Sequence, residues 1–218
     1  MTTSGTTAWS MSALAIVQQA LRENSIITLD ETPTTDEIAA CLVCLNGILR
    51  SWIPASWLGS TATITVPANA ASGALPAELD EILSVRMVQS STYERPLNRW
   101  GRSEYLEMPN KLQTGDPISY YVDNQRDSII MYVWPVPTSD TTLKVEYLRF
   151  PEIITDSAQT VDFPQKYNEL LFVSLAMRCA GIFGRQPTPE LVARASLLQR
   201  QFEDGERPET YIIETGLD

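Results

Sequence analysis

The sequence predicts an α+β protein: a four-helix core formed by the N- and C-terminal segments, an antiparallel β domain inserted between them, and an extended C-terminal arm. Three observations lead there. Near both ends of the 218-residue chain apolar residues recur every three or four positions, the spacing that gathers them on one helix face. Between about residues 61 and 149 the period drops to two, as on a strand. The last stretch is mostly polar and too short to build a core of its own. Residues 1–59 and 160–204 are therefore read as the two halves of the helical core, 60–159 as the inserted β domain and 205–218 as the arm.

The first helix falls within residues 10–22, with Ala13, Leu14, Ile16, Val17, Ala20 and Leu21 on one side. The second opens on a capping box in which Thr34 accepts from the amide three residues on and Glu37 reaches back. Ile38, Cys41, Leu42, Leu45, Ile48, Leu49 and Trp52 then hold one stripe until Pro54 stops it. In the middle region residues 61–66 and 82–89 read as strands, and 102–108 as a short helical turn ending at Pro109. The clearest strands, 118–122, 128–134 and 141–150, are separated by turn-rich residues 123–127 and 135–140 and read as an antiparallel meander. A third helix starts at Pro164, is apolar on most sides through Phe183, and stops at Gly184. A fourth starts at Thr188 and Pro189, carries Leu191, Ala195, Leu198 and Phe202 on one face, and ends at Gly205 and Pro208. Neither helix pair alone can bury its stripe, so the two ends are expected to pack together.

Composition excludes much chemistry. Lys and Arg total 16 against 27 for Asp and Glu, a formal charge of -11, so there is no basic surplus to release counterions from nucleic acid phosphates. Histidine is absent, which removes Ser-His-Asp and Cys-His nucleophiles and the commonest general base near neutral pH. No run approaches the roughly 18 residues of a membrane span, and residues 1–7 lack the plan of a signal peptide. The expectation is synthesis and folding in a cytoplasm with no membrane partner.

Several side-chain groups invite sharper readings. Cys41 and Cys44 make a Cys-x-x-Cys, but inside a helix, with only Cys179 left as a further thiolate, they read as small core residues and not as a redox or zinc site. Glu78, Asp80 and Glu81, Glu104 and Glu107, and Asp123 and Asp127 supply carboxylates for a glycosidase-like pair, against a background acidic enough to cluster by chance. Arg99, Trp100, Arg102 and Tyr105 mix cations with aromatics and mark a possible interface to a neighbouring protein. No catalytic, cofactor-binding or metal-binding residue is assigned.

Two segments carry a resemblance. Ala20-Leu21-Arg22 is followed by Thr32-Pro33-Thr34, Asp36-Glu37, Leu45-Asn46, Leu49 and Ser51-Trp52. Later come Phe163-Pro164, Tyr167, Glu169-Leu170-Leu171, Ala176, Ala180, Phe183-Gly184, Pro189-Glu190-Leu191 and Ala195. This order resembles the head-to-tail adaptors of short-tailed phages, also known as tail tubular or packaged-DNA-stabilisation proteins. Many of those carry a glycine after the first helix, where this chain has Glu23-Asn24-Ser25. The resemblance implies a structural virion protein of the neck or tail, without enzymatic activity, forming a ring, a dodecamer, between the portal protein and the tail nozzle or tail tube. It implies contacts to a tail fibre or tailspike, and double-stranded DNA passing through the ring during ejection without sequence-specific binding. It also implies a portal-binding arm, for which Tyr211, Ile212, Ile213 and Leu217 supply apolar anchors. Two other functions fit less well: a phage-borne peptidoglycan hydrolase using two of the carboxylates, and a neck or head-completion connector of a long-tailed phage.

Overall fold

A computed structural model describes residues 5, 8–52, 56–126 and 128–206. Among them it shows a mixed α+β protein with five α-helices and eight strands in two four-stranded sheets. The chain divides into two compact units, one of residues 1–57 with 151–218 and one of residues 58–150.

In the first unit, α1 (Ala13–Glu23) starts where Ser12 Oγ accepts from the Ala15 amide, and its buried residues are Ala13, Ile16, Val17, Ala20 and Leu21. Helix α2 (Thr35–Ser51) has the full Thr34 and Glu37 capping box and buries Cys41, Leu45, Ile48 and Leu49. Pro54 lies outside the described residues. A 3-10 turn after Pro164 leads into α4 (Asn168–Ile182), which is buried on most sides. Gly184, at φ +64°, lets the chain turn out of that helix, with the Arg185 amide donating to the Ala180 carbonyl. Helix α5 (Pro189–Glu206) begins with Thr188 Oγ1 accepting from the Leu191 amide. Side chains of all four helices enter one apolar cluster.

Gly205 does not end α5, as the sequence suggested; it is helical. A Cβ there would stand 2.6 Å from the Tyr167 hydroxyl oxygen, so its small size serves close packing and not a turn. Pro208 and the arm anchors Tyr211, Ile212, Ile213 and Leu217 lie outside the described residues. Residues 151–159 pack with the helices: Ile154 is buried in their cluster, and the Ala13 and Leu14 amides donate to the Gln159 and Ser157 carbonyls.

The second unit is two sheets around one core. In the first, β1 (Gly59–Val66), β8 (Thr141–Arg149), β3 (Leu79–Ser90) and β4 (Tyr93–Pro96) run in that spatial order, all antiparallel. The second holds β2 (Ser72–Ala74), β7 (Ile129–Trp134), β6 (Ser119–Asn124) and β5 (Asn98–Trp100), with β5 parallel to β6. Leu79, Val85, Leu143 and Val145 from one sheet and Tyr120, Met131 and Val133 from the other form the shared cluster. The predicted meander is corrected here. Strands β6 and β7 form a hairpin, but β8 belongs to the other sheet. Residues 135–140 cross between sheets because Pro135 and Pro137 have no amide for a ladder, and Val136 pairs instead with Gln113 and Gly115.

Candidate functional site

The outward side of the second sheet carries an aromatic surface. Alternation on β6 and β7 sends Tyr120, Met131 and Val133 inward, so Tyr121, Tyr132 and Trp134 face the other way. Tyr121 and Tyr132 are direct ladder partners with ring centroids 6.1 Å apart. The short helix α3 (Arg102–Glu107) lays Tyr105 over both, 4.9 Å from Tyr121 and 5.3 Å from Tyr132. Trp100, at the end of β5, packs on Trp134 at 5.3 Å, and the Trp134 indole N–H donates to the Asn110 carbonyl at 3.0 Å. Lys111 lies 5.5 Å from the Tyr105 ring and donates to the Leu106 and Met108 carbonyls. Burial, then the neighbouring phenols of Tyr132 and Tyr121, pushes the Tyr105 pKa up.

Leu106 on α3 and Leu112, the residue after Lys111, stand exposed, at 60% and 75% of their full surface. A half-buried aromatic centre with apolar and cationic neighbours has the composition of a protein contact. Of the four side chains singled out from the sequence, Trp100 and Tyr105 belong to this face. Arg99 pairs on the ladder with Tyr120, a core residue, and points to the opposite side of its strand from Trp100; Arg102 is exposed at the start of α3. Tyr121, Tyr132, Trp134 and Lys111 were missed. A count of alternate positions along both strands would have found the three aromatics.

Three of the carboxylates singled out from the sequence have separate hydrogen-bond partners. Glu78 accepts from the Tyr147 hydroxyl at 3.1 Å, Glu104 caps α3 by accepting from the Gly101 amide at 2.6 Å, and Asp123 accepts from Gln125 at 3.0 Å. Asp80 is the one carboxylate among the described residues lining a cleft of about 480 Å³, where Arg126 also lies. Asp127 is outside the described residues. Among the described residues no group of three or more Cys, Asp or Glu is placed to hold a metal ion. No described helix is long and apolar enough to cross a membrane.

The three cysteines are free thiols. Cys179 Sγ donates to Cys41 Sγ across 3.4 Å between α4 and α2. That hydrogen bond lowers the Cys41 pKa and raises that of Cys179, while burial raises Cys44. The Cys-x-x-Cys thus splits, with Cys41 in the core and Cys44 half-buried.

Comparison with known proteins gives one family. A family model described as SU10 adaptor protein matches residues 11–209, which takes in both helical ends and the whole β unit. Among solved structures, the neck of an empty GTA particle computed with C6 symmetry is similar with a TM-score of 0.28 and 10% identity, covering 78% of this chain and 83% of that chain. No curated protein matches.

Proposed function

This chain belongs to the SU10 adaptor family, and from that premise we propose that it is a head-to-tail adaptor of a short-tailed phage. In this reading it is a structural virion protein without enzymatic activity, made in the host cytoplasm. The N- and C-terminal helices form its four-helix core, the β domain is the insertion, and the residues after Glu206 are an extended arm. Twelve copies close a ring beneath the portal by head-to-tail contacts. Tyr211, Ile212, Ile213 and Leu217 anchor the arm on the portal protein. Trp100 and Tyr105, with Arg99 and Arg102 nearby, meet a neighbouring subunit or the tail nozzle, tube, fibre or tailspike. Double-stranded DNA passes through the ring, whose acidic subunits at -11 each give it little to hold.

The observation that carries this is the extent of the family match, residues 11–209. The aromatic face and the exposed Leu106 and Leu112 add surface suited to a protein partner. Ordering arms on docking costs conformational entropy, which holds free subunits apart until a portal presents a ring of sites. Sedimentation velocity of the purified chain alone is expected to give a monomer, and with portal protein a ring complex. A ring that forms equally well without portal overturns the assembly order, and no complex with portal overturns the partner.

A further inference from the structure

A groove of about 350 Å³ runs between α2, α4 and α5 in the helical unit. Ile48 and Trp52 line it from α2, Met177 and Arg178 from α4, Ala195 and Gln199 from α5. Arg178 is exposed and is the one ionisable side chain among the described lining residues. It makes no ion pair with a described residue; its guanidinium donates to Ser51 Oγ at 3.5 Å and lies against α2 so closely that a Cβ on Gly47 would come within 3.1 Å of it.

The twelve residues after Glu206 have the complementary chemistry. They hold Tyr211, Ile212, Ile213 and Leu217 and three acids, Glu209, Glu214 and Asp218, against Arg207 alone. Their starting point is also close. Gln199 lies seven residues before Glu206 on α5, about 10 Å back along the helix axis. Reversing direction takes about two residues, and extended chain covers that 10 Å in about three more. Residues 211–213 are therefore within reach of the level of Gln199 and Ala195.

We propose that in the free chain this groove is occupied by the chain's own residues 207–218, with Ile212 and Ile213 against Trp52, Met177 and Ala195 and with Glu209 or Glu214 on Arg178. The tether makes the contact intramolecular, so it forms at any protein concentration. Its consequence rests on the proposed function: the portal anchors are covered in the free subunit, and release from the groove takes the place of ordering a loose arm as the brake on premature assembly.

Glutamyl endopeptidase, which cleaves after Glu209 and Glu214, tests the contact in the full chain without portal, so its outcome is independent of the portal reading. Cleavage at both sites is expected to be about tenfold slower in the wild type than in Arg178→Glu or in Ala195→Trp, which fills the groove, because cleavage follows the open population. Circular dichroism checks that each variant is folded; if Ala195→Trp is not, the exposed Arg178→Glu decides. Protection unchanged on hundredfold dilution supports the chain's own segment. Wild-type cleavage as fast as in Arg178→Glu overturns the proposal, and protection lost on dilution overturns it in favour of a second copy's segment.

Discussion

At the residue scale, two positions in the helical unit show how local chemistry stands behind the adaptor pattern. Ser25 follows α1 at φ +52°, with its amide donating to Arg22 and that of Ile26 to Leu21. A Cβ in the left-handed region is strained by about 1–2 kcal/mol, which is why a glycine suits this turn. Ser25→Gly is therefore expected to raise stability by about 1 kcal/mol, read as a higher urea midpoint; no gain would mean that the serine conformation costs nothing here. Asn46 has a different task. Its amide nitrogen donates to the Ile154 carbonyl at 3.0 Å and its oxygen accepts from the Ile154 amide at 2.9 Å, fixing a loop 108 residues away in sequence. Asn46→Ala leaves both backbone groups without that partner, and a loss of about 2–3 kcal/mol is expected in chemical denaturation. An unchanged midpoint would refute that role.

At the element scale, the first sheet carries an ionic ladder across its outward face. Arg86 on β3 reaches Glu94 at 3.5 Å and Glu146 at 3.2 Å, Lys144 on β8 reaches Glu94 at 3.2 Å, and Ser84 donates to Glu146 at 2.8 Å. The hydrogen bond from Lys144, with help from Arg86, lowers the Glu94 pKa below the ordinary carboxylate range. A carboxyl whose folded-state pKa is depressed stabilises the fold above its unfolded pKa, and that contribution is lost as pH falls through the folded value. Glu94→Gln is thus expected to be less stable than wild type near neutrality and to converge with it below the ordinary carboxylate range. Urea unfolding over an acid pH series reads this, and parallel curves for the two proteins would remove the ladder's role. The same scale explains what the strand pattern could and could not reveal. The long strands β1, β3, β6, β7 and β8 have runs of alternating residues, whereas β2, β4 and β5 have three or four residues each and too few positions to show a period.

At the scale of the whole molecule, charge governs contact with DNA. A subunit at -11 has no surplus of cations to neutralise phosphates, so the full chain is expected not to retard linear duplex DNA in a gel even at about 50 mM salt; a salt-sensitive shift would point to a concentrated basic face. The sequence alone determined the α+β class, the starts of α2 and α5 and the apolar stripes of α1, α2 and α5, since caps, turn residues and apolar period act over a few neighbouring positions. The capping box at Thr34 and the stop at Gly184 are cases where local hydrogen bonds fix the outcome. Only the tertiary structure decided which sheet each strand joins, that Gly205 lies inside a helix against Tyr167, that Trp100 and Tyr105 share a face with Trp134 and Tyr121 while Arg99 does not, and that Arg178 lines a groove. Those outcomes depend on residues tens of positions apart meeting in space, and no local period or propensity encodes which distant surface a side chain will find.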